Sequence, residues 1–168
     1  ELTGSPLLQQ KTPLELANEI RTTVKEEVGL TVSIGVSFNK IFAKLGSDMK
    51  KPDAVTVITR ESFKDQIWPL PVSDLLYVGR ATTEKIRLYG IRTIGDLAQA
   101  DRAMLIHRLG VNGEKLWVFA NGLDQSRVMP CDYEIPIKSV GHGITCTDDL
   151  LSKDARQTCV QMKRSDMF

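Results

Sequence analysis

The residues best suited to chemistry form a glycine turn, Leu75-Leu76-Tyr77-Val78-Gly79-Arg80-Ala81-Thr82-Thr83-Glu84-Lys85-Ile86, followed by Tyr89-Gly90-Ile91. Two short helices are predicted to flank the turn, the second opening near Thr82. That arrangement gathers the backbone N–H groups of Val78, Gly79, Arg80, Ala81 and Thr82 on one side of the loop, where they can hold a phosphate without a large positive charge. Gly79 has no side chain to obstruct the phosphate, and Lys85, one turn on, can add a cation. This is the physical content of a helix-hairpin-helix, which grips duplex DNA by its backbone regardless of sequence. The motif's usual first glycine is Tyr77 in this chain. The competing reading is a plain helical hairpin with a glycine in its loop.

A second turn, Leu109-Gly110-Val111-Asn112-Gly113-Glu114-Lys115, also opens a helix. Gly110 and Gly113 are candidates to hold a neighbouring phosphate, against the adverse charge of Glu114. An ordinary helix-to-helix loop explains this turn as well. A third feature is the run from Ser33 to Asp53, in which Lys51 precedes Pro52. On spacing alone, Lys51 reads as a solvated lysine at a helix end.

The elements that must position these residues divide the chain. Thr12-Pro13-Leu14-Glu15 predicts a capped helix start, and Leu14, Ala17, Ile20, Val24 and Val28 repeat at helical spacing up to a stop at Gly29. A strand over Val32–Val36, a helix over Asn39–Met49 ending before Pro52, and a strand over Val55–Ile58 complete an α/β layer. From Thr59 to about Gly122 only short helices are predicted: Glu61–Trp68, Val72–Leu76, Thr82–Tyr89, Thr93–Ala98, Asp101–Leu109 and Glu114–Asn121. A linker with Pro130 and Pro136 leads to a strand over Ser139–Asp148 and to a helix capped by Ser152 that still runs at Phe168. A lone strand and helix bury no core of their own, so the chain is expected to be part of something longer.

Composition restricts the alternatives. Of 168 residues, 42% are hydrophobic and 26% charged, which fits a folded globular chain and excludes a mostly disordered one. The 22 basic residues barely exceed the 21 acidic ones, so contact with nucleic acid must rest on a few local groups and not on a broad basic face. Cys131, Cys146 and Cys159 are too dispersed for a zinc site or a disulfide framework and read as free thiols of a cytoplasmic protein. Two histidines, His107 and His142, leave little material for a histidine-built metal site. No apolar run has the length of a membrane span, so no membrane partner is expected.

The run Ser33–Asp53, the hairpin Tyr77–Ile91 and Lys138-Ser139-Val140-Gly141 occur in the order found in Y-family translesion DNA polymerases. The chain most resembles the bacterial polymerase IV, or DinB-like, branch (the impB/mucB/samB family). The resemblance implies an α+β fold: a partial α/β palm sheet, a small all-helical thumb, and an incomplete strand–helix piece of the little finger. It implies palm over 1–58, thumb over 59–126, a linker over 127–137 and little finger over 138–168. It gives Lys51 a contact with the triphosphate of an incoming dNTP, and Lys138 and Ser139 a place along the DNA backbone. The partners implied are primer–template DNA and dNTP, with Mg2+ as cofactor of the complete enzyme. The family's metal-binding carboxylates belong to a strand and a Ser-x-Asp-Glu turn that this sequence does not contain, so the chain alone is expected to be inactive. The sliding-clamp contact rests in this family on a short C-terminal peptide beyond the matching residues. Asp148-Asp149 read as a loop before the Ser152 helix and not as metal ligands.

Two other classes compete with this resemblance. One is a stand-alone, non-catalytic helix-hairpin-helix module, which would have no use for the Ile34–Pro52 run. The other is a hairpin-containing DNA glycosylase. Its catalytic acid is not matched by Asp96, which reads as a first-turn acid at a helix N-terminus.

Overall fold

A computed structural model describes residues 4–130 together with Tyr133, Leu151 and Ala155. The chain divides into two compact units, Glu1–Val128 and Met129–Phe168. In the second unit, the Ala155 N–H donates to the Leu151 carbonyl at 2.9 Å. The predicted strand Ser139–Asp148, the cap Ser152, and the candidate residues Lys138 and Ser139 lie outside the described residues.

The first unit is mixed α/β and mostly helical. Its opening helix, α1 (Pro13–Thr23), starts on the predicted capping box. Thr12 Oγ1 accepts the Glu15 N–H at 3.2 Å, and the Glu15 carboxylate accepts the Thr12 N–H at 2.8 Å. Of the apolar repeat, Ala17 is buried and Ile20 and Val24 are half-buried, while Leu14 and Val28 are exposed and Leu16 is buried in addition. For Val28 the reason is a change of helical phase. After Thr23 the chain continues as a π turn, Val24–Val28, whose wider turn carries Val28 off the inner face before Gly29 stops it at φ +72°.

Strands β1 (Ile34–Ser37) and β2 (Val55–Ile58) pair in parallel, Ile34 opposite Val55 and Ser37 opposite Ile58. Helix α2 (Lys40–Met49) is the crossover that a parallel pair requires. It packs on β1 backbone to backbone: a Cβ at Gly35 would lie 1.7 Å from the Ala43 carbonyl oxygen. Asn39 caps α2 by accepting the Phe42 N–H at 2.8 Å. Its amide also donates to the Gly122 carbonyl at 3.3 Å, tying the α/β half to the end of the helical half.

The helical half contains α3 (Phe63–Ile67), a 3-10 turn (Val72–Asp74), α4 (Arg80–Arg87), α5 (Ile94–Gln99), α6 (Arg102–Leu109) and α7 (Val111–Ala120). Two helices begin earlier than predicted, α4 at Arg80 instead of Thr82 and α7 at Val111 instead of Glu114. The glycine preceding each serves as its N-cap, so the first polar residue does not mark the start. Asp96 is the first-turn acid the sequence suggests: its carboxylate accepts the Arg92 and Thr93 N–H groups, each at 2.9 Å.

One core runs through both halves. Phe42, Ile58, Ile67, Leu75, Ile86, Ile94, Leu97, Leu105 and Leu116 are all within it. At the junction Phe38, Phe42, Phe63 and Trp68 stack and cross at 5.4–6.3 Å between ring centroids. Trp68 Nε1 donates to the Ala120 carbonyl at 3.2 Å. Each such aromatic pair is worth about 0.5–1.5 kcal/mol beyond the area it buries. The α/β half and the helical half therefore share a single core.

Candidate nucleic-acid interface

The hairpin is anchored from below. Leu75, Val78, Ile86 and Ile91 are buried beneath it. Its ends are drawn together where the Val72 N–H donates to the Arg92 carbonyl at 2.9 Å and the Ile94 N–H to the Leu70 carbonyl at 3.0 Å. Val78 thus serves the core, and its N–H is already donated to the Leu75 carbonyl at 3.0 Å. The turn above it is different. Gly79 has φ −85° and ψ 176°, accepts the Thr83 N–H at 3.0 Å, and provides no side-chain cap. The N–H groups of Arg80, Ala81 and Thr82 have no partner among the described residues, as expected for the first turn of an uncapped helix. A Cβ at Gly79 would have nothing within 4 Å. The turn is therefore open to an approaching group, with partial positive charge aimed outward.

The nearby side chains add little net charge. Arg80 is almost fully exposed and pairs with Glu84 at 3.0 Å. Lys85 is exposed on the same helix. Tyr77, where the motif usually has glycine, has φ +70°. For a ring-bearing residue that conformation costs about 1–2 kcal/mol.

The second turn has another character. Gly110 has φ +63° and ψ −147°, a region essentially reserved for glycine. Gly113 is buried, its N–H is donated to Gly110, and a Cβ there would lie 2.2 Å from the Leu105 carbonyl oxygen. The expectation that Gly113 faces a phosphate gives way to its packing of α7 against α6. Glu114, the adverse charge in this turn, is paired with Arg102.

Lys51 belongs to the α/β half, between α2 and β2. Its Nζ is 2.7 Å from Asp48 Oδ1, while Lys44 Nζ is 2.7 Å from Asp48 Oδ2. The hydrogen bond from Lys44, then that from Lys51, holds the Asp48 carboxyl below its ordinary value. These residues border a shallow cleft of about 380 Å3 with Thr31, Ser33 and Pro52. The sequence carried the signal for this cluster in the spacings Lys44–Asp48 and Asp48–Lys51. Asp53 was not anticipated. At φ +56°, it receives Arg21 Nη1 and Lys25 Nζ, each at 2.6 Å, and buckles α1 to the loop that carries Lys51. Lys25 first, then Arg21, keeps the Asp53 carboxyl below its ordinary value. Its partners lie 28 and 32 residues away, beyond any local pattern.

Among the described residues, no group of three or more His, Cys, Asp or Glu comes together to hold a metal ion. No helix among them is long and apolar enough to cross a membrane.

Residues 1–48 match the impB/mucB/samB family. The chain is 56% identical over 140 residues to DNA polymerase IV of Acetivibrio thermocellus, covering 83% of this chain and 35% of that protein. It is 43% identical over 136 residues to DNA polymerase IV 1 of Bacillus subtilis, covering 81% of this chain and 33% of that protein. The fold is similar to the crystal structure of DinB from Sulfolobus solfataricus, with a TM-score of 0.65 and 24% identity over 74% of this chain and 37% of that one. The chain spans about a third of the length of the curated relatives it matches.

Proposed function

The chain belongs to the Y-family DNA polymerases, in the polymerase IV and impB/mucB/samB branch, and from that premise we propose that it is the DNA-holding portion of a translesion polymerase. The observation that carries this reading is the α4 N-terminus: three N–H groups without partners among the described residues, beside a glycine with open space around it. A duplex phosphate there accepts from Arg80, Ala81 and Thr82 while Lys85 adds charge. The α/β half, residues 1–58, is the palm side, and residues 59–126 are the thumb. The shared aromatic junction fixes the thumb's angle to the palm, so a backbone grip at α4 sets where the primer terminus lies.

Lys51 is proposed to meet the triphosphate of the incoming dNTP. For that it exchanges Asp48 for the nucleotide, and Lys44 remains to balance the Asp48 carboxylate. In the complete enzyme Mg2+ supplies charge for nucleotidyl transfer. The strand and Ser-x-Asp-Glu turn that carry the family's metal-binding carboxylates are not in this sequence, and the chain alone is proposed to be inactive. Lys138 and Ser139 are proposed to continue the backbone contact, and the protein is proposed to act in the cytoplasm.

Primer extension together with duplex binding tests this reading. The chain should bind a primer–template duplex and extend no primer when given dNTPs and Mg2+. Extension by purified chain would refute the claim of inactivity, and absence of duplex binding at low salt would refute the DNA-holding role.

A further inference from the structure

Tyr77 stands in the hairpin turn with a left-handed backbone, φ +70°, that a side chain with a ring adopts only when its surroundings enforce it. Burial does not repay the strain, because the residue is 73% exposed. Among the described residues its ring neighbour is Phe119, 5.9 Å away between centroids and tilted by 35°. The ring is thus backed by α7 and open elsewhere. It borders a cleft of about 740 Å3 together with Thr82, Val111 and Lys115. Thr82 contributes one of the α4 N–H groups without a partner among the described residues, and Lys115 is an exposed cation on the same cleft. The acids on the same cleft have partners, Glu114 with Arg102 and Asp124 with the Ser126 hydroxyl.

We propose that Tyr77 is a DNA-contacting residue whose open ring face packs on the deoxyribose of the strand whose phosphate the α4 N-terminus holds. An amphipathic ring beside anion-binding amides and a lysine matches the alternation of apolar sugar and charged phosphate along one strand. The left-handed backbone holds the ring outward, and Phe119 fixes its tilt. The inference rests on the DNA-holding reading and adds a contact that a glycine at this position could not supply.

The test uses the full chain on a primer–template duplex at low salt, by fluorescence anisotropy, with thermal unfolding of each variant in parallel. Tyr77→Gly removes the ring and supplies the residue best suited to φ +70°, so its melting temperature should be unchanged or raised. Its duplex affinity should fall about five- to twentyfold, on the scale of one lost aromatic contact to nucleic acid. Tyr77→Asn, a second ringless residue that tolerates the left-handed region, should show the same loss, and Tyr77→Phe should stay within about twofold of the parent. If Tyr77→Gly binds as tightly as the parent while Gly79→Val loses affinity, the Tyr77 contact is overturned and the hairpin reading stands. An equal loss in Tyr77→Phe and Tyr77→Gly overturns the ring-face contact in favour of the hydroxyl. If the parent does not bind, or binds no better than Gly79→Val, the hairpin reading falls and this inference with it.

Discussion

The turn at Gly79 and the turn at Gly110–Gly113 both open helices of the helical half and look alike as sequence, yet their glycines answer different demands. Gly113 faces protein, with the Leu105 carbonyl where a Cβ would be, and Gly110 has a backbone that other residues resist. Gly79 has ordinary angles and open space. Nothing among the described residues requires glycine at 79, whereas folding itself requires it at 110 and 113. A glycine the fold does not need is the one available to an external partner.

Substitutions can separate the two turns. Gly113→Val should be the most damaging, destabilising by about 3 kcal/mol or more as α7 is forced off α6, measured by denaturant unfolding. A small change would mean that the helices part easily and that the contrast between the turns is false. Gly110→Ala should cost about 1–3 kcal/mol through backbone strain alone, without a clash. Gly79→Val should alter stability by less, about 1 kcal/mol for a poorer cap, and weaken duplex binding about tenfold. Binding lost in proportion to stability in all three variants would erase the distinction.

The Asp53 buckle offers a milder check on the α/β half. Its carboxyl titrates below the ordinary aspartate value when folded, so its contribution is complete above that value and disappears as pH falls through the folded one. Thermal melts of Asp53→Asn should converge with those of the parent toward pH 3 and lie below them at pH 6. Asparagine tolerates the positive φ, so the backbone is kept. Lys51→Ala should have the smallest effect, leaving duplex binding within about twofold, because its exposed pair with Asp48 contributes little.

Much of this architecture was legible in the sequence because its signals are local. The Thr12–Glu15 capping box, the helix predicted over Asn39–Met49, the stop before Pro52 and the Val55–Ile58 strand depend on neighbours within a few residues. The residues carrying the family resemblance were equally visible. Contacts distant in sequence were not. Periodicity gave no sign that Gly35 meets Ala43 directly, that Asp53 reaches back to Arg21, or that Gly113 rests on Leu105. The phase shift at the π turn likewise moved Val28 outward against a regular apolar pattern. At the hairpin, sequence located the turn but not its exact start, because a glycine cap leaves no polar marker.

The most direct test is the salt dependence of duplex binding by this chain beside Gly79→Val. A grip through the α4 N-terminus, with few flanking cations, predicts a shallow slope of about two to four phosphates, and affinity lost in the variant at every salt concentration. Equal affinity and equal slope in the two proteins would show that the duplex is held elsewhere and that the open glycine turn is not a DNA clamp.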